Sequence, residues 1–273
     1  MSRTVVVTGA GPGMAAATPA AGAHAGGTVG VRDRDGAAAA GTAVTLGDRG
    51  VALTADTTDE AAVDAALDRF ATATGRPPGD GPDALVANAG IVRFGPLLDA
   101  TVDDWRAVVD VNLTGTFVAA RGVARRRIAA GRPGSIGAVT PMNGVAPGPN
   151  AGAYGATKAG VARLTQQMAL EWGSHAIRVN AVAPGLIDGG MSAPIYADPE
   201  TRRRREERVP LGRLGTPADV AAVVLFLLSE AAAYVTGTEV LVDGGVTPSV
   251  IATLPRPASV DTVGGGTPRD DDG

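Results

Sequence analysis

Short apolar runs rich in β-branched residues alternate along the chain with longer stretches of helical character. This alternation predicts a parallel sheet with helices on both faces, a doubly wound α/β fold. Continuous apolar runs such as Thr4–Val7 suit strands that are buried on both sides. The predicted strands are Thr4–Val7, Thr28–Val31, Val51–Thr54, Ala84–Ala87, Ser135–Val139, Arg178–Val182 and Glu239–Val242, and the predicted helices are 13–25, 37–46, 58–74, 101–130, 152–173 and 217–229.

Neither a repeat nor a linker interrupts residues 1–247, which we predict to form one domain. From Pro248 onward, proline, glycine, threonine and acidic residues dominate, and 248–273 is predicted to be a flexible tail. The alternative is that its first residues, 248–258, dock on a neighbouring subunit.

Composition narrows the function classes. The net charge of −4 offers no electrostatic basis for binding nucleic acid. The chain has no cysteine and only two histidines, far apart in sequence, so we expect no disulfide framework, no metal site and no Ser-His-Asp triad. No signal peptide and no membrane-spanning run is apparent, so the expected location is the cytoplasm.

A glycine-rich turn follows the first predicted strand, in Thr8-Gly9-Ala10-Gly11-Pro12-Gly13-Met14. Such a turn before a helix lets backbone N–H groups approach a pyrophosphate. Asp33 ends the second apolar run, where a carboxylate can bind ribose hydroxyls and favour NAD. Arg32 and Arg34 flank it and could instead favour NADP. Asp56 and Thr57 end the third run, and Asp56 could alternatively cap a helix.

The single lysine among 24 basic residues, Lys158, lies four positions after Tyr154. Positions i and i+4 share a helix face, so the phenol and the ammonium are expected to stand together. A nearby cation lowers a tyrosine pKa, so Tyr154 is a candidate proton donor and acceptor near neutral pH. The alternative is that Lys158 is only a surface charge.

Several short motifs, taken in order, resemble the short-chain dehydrogenase/reductase family across residues 3–247. They are Thr8-Gly9-x-x-x-Gly13, Asp56, Asn88-Ala89-Gly90, Val111-Asn112-Leu113-Thr114-Gly115, Tyr154-x-x-x-Lys158, Arg178-Val179-Asn180 through Pro184-Gly185, and Val242-Asp243-Gly244-Gly245. The resemblance implies a seven-stranded Rossmann-type sheet, an NAD(P) cofactor, a homodimer or homotetramer, and a substrate lid near 189–210.

The resemblance also assigns roles. Tyr154 would be the general acid/base, Lys158 would hold the nicotinamide ribose, and Asn112 would order a water in a proton relay. The implied cofactor-binding residues, which include both catalytic side chains, are Gly9, Gly11, Gly13, Met14, Asp33, Asp56, Thr57, Asn88, Ala89, Gly90, Tyr154, Lys158, Pro184, Gly185 and Ile187.

One position departs from the family pattern. Thirteen residues before Tyr154, where the family places a serine that polarises the substrate carbonyl, stands Pro141. Thr140 is the adjacent hydroxyl and a tentative substitute, although neighbouring strand side chains point to opposite faces. Losing one donor to a developing oxyanion costs about 10²- to 10³-fold in rate.

Two principal functions therefore stay open. The first is an NAD-preferring oxidoreductase that interconverts a secondary alcohol and a ketone. A low rate of hydride transfer, caused by the absent serine, is compatible with this function. The second is a redox-inactive protein of the same fold, either a ligand-binding regulator or a catalyst of a non-redox cyclisation or dehydration. The substrate is expected to be a small apolar carbonyl or alcohol compound, since Phe94, Met142, Val145, Pro147, Met191, Ile195 and Tyr196 would line the pocket.

Overall fold

The computed structural model describes residues 4–9, 14–77 and 79–249. Its described residues form a seven-stranded parallel sheet in the order β3-β2-β1-β4-β5-β6-β7. The strands are β1 Thr4–Thr8, β2 Thr28–Asp33, β3 Gly50–Thr54, β4 Ala84–Ala87, β5 Gly134–Val139, β6 Ile177–Pro184 and β7 Glu239–Val242. The α/β fold predicted from the sequence is confirmed, and each observed strand overlaps its predicted run.

Each predicted helix overlaps an observed one, but one predicted helix is interrupted, and α7 and α8 were not predicted as helices. Their bounds are α1 Met14–His24, α2 Gly36–Thr45, α3 Glu60–Ala73, α4 Val102–Val109, α5 Gly115–Ala129, α6 Tyr154–Trp172, α7 Ala193–Tyr196, α8 Pro199–Glu206 and α9 Pro217–Leu228. The predicted helix 101–130 is divided into α4 and α5 by a π-helical segment, Asp110–Thr114. Its wider turn is the kind of local irregularity that often marks a functional site.

Apolar side chains bury both faces of the sheet. On one face, Val6, Leu85 and Ile136 pack with Phe70 of α3 and with residues of α5. On the other face, Val7, Val29 and Val182 pack with residues of α2 and α9. This two-sided burial explains why the strands read as continuous apolar runs instead of alternating patterns.

The strand order changes direction between β1 and β4. Strands β2 and β3 lie on one side of this point and β5 to β7 on the other, so the loops after β1 and β4 diverge. In open α/β sheets the resulting crevice at the carboxyl ends of the strands is where ligands bind. Gly9 and Asn88, which follow β1 and β4, therefore stand at the expected binding position.

Candidate active site

A cavity of about 200 Å³ lies at this switch point. Its wall includes Thr8, Gly9, Ala89 and Gly90 from the loops after β1 and β4. Gly9 has φ +78°, and a Cβ there would lie 2.9 Å from the Cα of Ala89. The Asn88 side chain joins the two loops by donating to the carbonyl oxygens of Thr8 and Gly9 at 3.2 and 3.3 Å. Glycine is thus required for the loops to approach closely enough to leave a cradle for a dinucleotide.

Charged side chains border the cavity on the β2 and β3 side. Asp33, Arg34, Asp56 and Arg32 contribute to its wall. Arg34 is exposed, whereas Arg32 is 2% exposed and donates to Thr57 Oγ1 at 2.9 Å. Arg34 therefore stays available to a 2′-phosphate, but Arg32 lies within the protein and does not present a surface cation.

Asp56 folds back on its own loop. Its carboxylate accepts from the backbone N–H and the hydroxyl of Thr58, both at 2.8 Å. These hydrogen bonds hold the pKa of Asp56 below its usual range. The residue that caps α3 is Asp59, which accepts from the N–H of Ala62. The alternative interpretation of Asp56 as a helix cap is therefore wrong, because the helix begins one turn later.

The predicted pair on α6 is brought together beside Gly90. Lys158 is 2% exposed, and its ammonium donates to the carbonyl oxygen of Val139 at 2.9 Å. The Nζ atom lies 5.8 Å from the centre of the Tyr154 ring. A Cβ on Gly90 would come within 3.4 Å of that Nζ. Lys158 is therefore a buried cation facing the cleft, and the alternative of a solvated surface lysine is wrong.

Two glycines let the chain after β5 pack on the start of α6. A Cβ at Gly144 would lie 3.0 Å from the backbone nitrogen of Ala159. A Cβ at Gly155 would lie 2.9 Å from the carbonyl oxygen of Asn143. Because neither position carries a side chain, the short 3₁₀ turn Met142–Gly144 lies directly against the helix that bears Tyr154. Pro141 directly precedes this turn.

Asn112 lies in the π-helical segment and is fully buried. Its side chain accepts from the N–H of Ile91 at 2.8 Å and donates to the carbonyl oxygen of Ile91 at 2.9 Å. It also donates to Thr157 Oγ1 at 3.3 Å, and Thr157 in turn donates to the carbonyl oxygen of Tyr154. Asn112 therefore joins the loop after β4 to the first turn of α6.

Burial dominates the proton affinities of the pair. It raises the pKa of Tyr154 to about 12 and lowers the pKa of Lys158 to about 8. The expected lowering of the Tyr154 pKa by Lys158 is not found, because loss of hydration disfavours both charged forms. At neutral pH the phenol is protonated, and its hydroxyl has no hydrogen-bond partner among the described residues. Tyr154 is thus poised to donate a proton.

Thr140 does not stand in for the missing serine. It is fully buried, and its hydroxyl lies 2.5 Å from Glu239 Oε1 and 3.2 Å from the carbonyl oxygen of Val182. The hydroxyl donates within the protein, and the carboxylate of Glu239 on β7 is its nearer acceptor. These contacts count against the tentative catalytic assignment of Thr140, and Pro141 itself, with φ −50°, offers neither a hydroxyl nor an N–H.

The loop after β6 serves packing as well as the cleft. A Cβ at Gly185 would lie 2.5 Å from Cβ of Asp243, so glycine is required where Pro184-Gly185 passes the end of β7. The Ile187 side chain belongs to the core and lines a separate cavity of about 500 Å³ together with Leu211 and Leu241. That cavity shares no lining residue with the one at Gly9 and Gly90, and the assignment of Ile187 as a cofactor-binding residue stays a prediction.

The segment predicted as a lid forms a 3₁₀ turn, Gly190–Ser192, followed by α7 and α8. Gly189 and Gly190 both have positive φ, at 155° and 58°, a conformation that suits glycine. This segment is tied to the loop after β6 by an ion pair between Asp188 and Arg202. Arg202 and Arg205 lie over the ring of Tyr196, which is 5% exposed.

Some predicted features fall outside what the structure describes. Gly11 and Gly13 lie outside the described residues, as does the tail from residue 250, and Met14 begins α1. Ser249 closes a short turn by donating to the carbonyl oxygen of Val246, and the Asp243 carboxylate accepts from the N–H of Thr247. Within the described part of the chain, no group of His, Asp or Glu side chains could hold a metal ion. Likewise, none of the helices in that part has the length and apolar character needed to cross a membrane.

Sequence reasoning missed part of the cavity wall. Ala55, Ile91 and Val111 contribute to it, and their only signal was adjacency to the motif residues. From the sequence, Arg32 is a candidate for favouring NADP, but in the structure it is buried. Its burial depends on the neighbouring strand and on Thr57, and nothing local to β2 indicates this.

Comparison with known proteins agrees with this geometry. Residues 9–247 match the family model described as enoyl-(acyl carrier protein) reductase. The chain is 38% identical over 253 residues to 3beta-hydroxysteroid dehydrogenase 1 of Eggerthella lenta, covering 90% of this chain and 94% of the relative. It is 41% identical over 232 residues to inactive 2-(S)-hydroxypropyl-CoM dehydrogenase 2 of Xanthobacter autotrophicus, covering 82% and 96%.

Solved structures give the same result. An oxidoreductase of the short-chain dehydrogenase/reductase family from Burkholderia thailandensis matches with a TM-score of 0.83 and 35% identity over 92% of this chain and 96% of that one. The 3-ketoacyl-(acyl-carrier-protein) reductase of Brucella melitensis, complexed with NADH, matches with a TM-score of 0.81 and 30% identity over 90% and 98%. With the cradle at the switch point and the Tyr154–Lys158 pair beside it, these matches show that the chain belongs to the short-chain dehydrogenase/reductase family, whose members are oxidoreductases that use a nicotinamide cofactor.

Proposed function

We propose that this chain is an NAD-preferring dehydrogenase that interconverts a secondary alcohol and a ketone, with Tyr154 exchanging the proton. The observation that carries the proposal is the meeting of Tyr154, Lys158 and Asn112 around Gly90, at the edge of the dinucleotide cradle. The named relatives that act on hydroxyl groups support the reaction class.

The residues present fit a nicotinamide dinucleotide. Gly9 and Gly90 leave space that a Cβ would fill, and the cavity continues from them toward Asp33 and Asp56. Gly9 would accommodate the pyrophosphate, Asp33 the adenosine ribose, and Lys158 the nicotinamide ribose. When bound, the nicotinamide supplies or accepts the hydride. Asp33 supports a preference for NAD, while the exposed Arg34 supports some acceptance of NADP.

The protein's own part in the reaction is proton exchange and placement. Tyr154 holds a proton on its hydroxyl at neutral pH and can donate it to the carbonyl oxygen of a substrate. Lys158 carries its charge below a pH of about 8 and stabilises negative charge that develops beside it. Asn112 fixes the backbone of Ile91 and, through Thr157, the first turn of α6.

A small apolar alcohol or ketone remains the proposed substrate. Phe94, Val145 and Met191 are exposed on the loops and lid around the catalytic end of α6. Exposed Trp105, Phe117 and Leu170 on α4, α5 and α6 support a further proposal, that the chain forms a homodimer or homotetramer. A cytoplasmic location is part of the proposal on the sequence pattern alone.

A second candidate function is favoured by Pro141. A redox-inactive protein that binds a ligand, or that uses Tyr154 as an acid in a non-redox step, would not need the serine. One of the relatives carries the word inactive in its name, which supports keeping this candidate. Both candidates retain the dinucleotide cradle and differ in turnover.

The two candidates are separated by titrating NADH and NADPH into the native protein, followed by fluorescence, and then assaying a panel of alcohols and ketones. We expect NADH to bind more tightly than NADPH, since Asp33 repels a 2′-phosphate, and turnover to be measurable on apolar substrates. Binding without turnover on any compound supports the redox-inactive candidate. Absence of binding by both dinucleotides contradicts the proposed function.

The ionisation of Tyr154 gives a separate prediction. Because burial raises the pKa of Tyr154 to about 12, its phenol is expected to stay protonated at neutral and mildly alkaline pH. Ultraviolet titration of tyrosinate in the native protein and in Tyr154→Phe should therefore give coincident curves from about pH 7 to about pH 10, the ordinary pKa of tyrosine. An additional tyrosinate in the native protein below about pH 9 would show instead that Lys158 controls the phenol.

A further inference from the structure

The ammonium of Lys158 has one hydrogen-bond acceptor in the described part of the chain, the carbonyl oxygen of Val139 at 2.9 Å. Lys158 is 2% exposed, so little bulk water reaches its side chain. A buried cation needs hydrogen-bond acceptors, because burial removes its hydration. The position of the Val139 carbonyl oxygen therefore helps to set where the charge of Lys158 stands.

That carbonyl group lies where the ladder between β4 and β5 has ended. The last pair of this ladder contains Ala138, one residue before Val139. The next N–H groups after β4, those of Asn88 and Ala89, both donate to a hydroxyl at the end of β1. The carbonyl oxygen of Val139 is thus left to Lys158 as the donor that replaces a neighbouring strand.

The same peptide unit is anchored to β6 on its other side. Its N–H belongs to Thr140 and donates to the carbonyl oxygen of Val182 at 2.8 Å. Because a trans peptide is planar, the direction of this N–H also fixes the direction of the Val139 carbonyl. The next bond of the ladder would run from the N–H of residue 184 to the Thr140 carbonyl. It cannot form, since residue 184 is Pro184.

A side chain from β7 supplies an additional anchor at this point. Thr140 is fully buried, and its hydroxyl lies 2.5 Å from Glu239 Oε1. Strand β7 is the last in the sheet, and Glu239 pairs there with Ala181 of β6. The contact therefore reaches across β6 and holds the end of β5, including the peptide that carries the Val139 carbonyl.

We propose that Glu239 is a positioning residue for Lys158, acting through Thr140 and the Val139 carbonyl. The inference rests on the proposed dinucleotide binding, in which Lys158 holds the nicotinamide ribose. Without the Glu239 contact, the end of β5 is held by its backbone bond to β6 and by the weaker side-chain contact of Thr140 with Val182. The carbonyl group can then shift, and the Lys158 ammonium shifts with it.

The test compares two ligands that each carry one phosphate. Nicotinamide mononucleotide contains the ribose that Lys158 would hold, adenosine monophosphate does not, and both compete with NADH in the fluorescence titration. Thr140→Val and Glu239→Ala are expected to weaken binding of nicotinamide mononucleotide by about tenfold, as expected when a charged contact is misplaced. Binding of adenosine monophosphate should change less than about twofold, because the altered contact lies at the other end of the cleft.

Matched variants distinguish positioning from a general structural role. Glu239→Gln keeps an oxygen that can accept from Thr140, so its affinity for nicotinamide mononucleotide should stay within about twofold to threefold of the native value. Thr140→Val combined with Glu239→Ala should lose no more than either alone, because both break one contact. In a Lys158→Met background, Thr140→Val should cause no further loss. Glu171→Ala removes an exposed carboxylate near the far end of α6 and is the control expected to change neither ligand.

Three results would overturn the inference: unchanged affinity for nicotinamide mononucleotide, an equal loss for both mononucleotides, or a loss in Glu239→Gln as large as in Glu239→Ala. If Thr140→Val does not fold, Glu239→Ala carries the test, since Glu239 is only half-buried at the edge of the sheet. Failure of the native protein to bind NADH or NADPH would instead contradict the proposed function. Because the readout is binding, the test holds for a redox-inactive protein as well.

Discussion

Replacing Tyr154 by phenylalanine is expected to lower kcat by about 10²- to 10⁴-fold, the range typical for loss of a general acid or base. The variant keeps the aromatic ring and loses only the hydroxyl. That hydroxyl has no hydrogen-bond partner among the described residues, so its removal should leave the melting temperature nearly unchanged. Steady-state rates with a ketone and NADH, together with a thermal melt, measure both effects.

The matched control for this variant is Tyr196→Phe. Tyr196 lies in the lid, and its hydroxyl accepts a long hydrogen bond from Arg205 at 3.4 Å. Its ring contacts would be retained, so kcat should change by no more than about twofold to fivefold. NADH affinity should be similar in the native protein and in both variants. A Tyr154→Phe enzyme that keeps its rate would remove Tyr154 from the proton-exchange role.

Introducing the absent hydroxyl by Pro141→Ser is expected to raise kcat by about 10²- to 10³-fold, the reverse of removing one oxyanion donor. Serine can adopt the φ of −50° and ψ of 157° that Pro141 has, and the turn Met142–Gly144 should persist. Proline has no backbone N–H, so the substitution removes no hydrogen bond donated by the backbone at this position. Loss of the ring should reduce the free energy of unfolding by about 0.4–1 kcal/mol.

Pro141→Ala is the control, because it removes the ring without adding a hydroxyl. We expect its rate to stay near that of the native protein, while its stability falls by a similar amount to that of Pro141→Ser. An equal gain in both variants would mean that release of the backbone, and not the hydroxyl, increases the rate. No gain in Pro141→Ser, with NADH still bound, would favour the redox-inactive function.

Local chemistry made much of the site predictable. The i, i+4 spacing of Tyr154 and Lys158 places both on one helical face, whatever the rest of the chain does. Apolar strands followed by glycine or asparagine indicated where the cleft opens, since parallel strands end at one edge of the sheet. These predictions required only the sequence periodicity and the direction of the chain.

Other properties depended on neighbours that are distant in sequence. Thr140 pairs with Glu239, 99 residues away, and therefore turns its hydroxyl from the cleft. The pKa of Tyr154 depends on how deeply helix α6 is covered, and burial outweighed the nearby cation. The cap of α3 is Asp59, because the helix begins where its packing on the sheet begins.

The order of apolar runs, the glycine turn and the single lysine determined on their own the fold class, the place of the cleft and the candidate proton donor. Tertiary structure alone decided which charged groups are buried, since burial depends on what packs above a side chain. Arg32 illustrates this difference: in sequence it is one of several arginines beside Asp33, but in the fold Thr57 and the adjoining strands enclose it. The surrounding elements remove water from such groups, and the loss of hydration disfavours their charged forms.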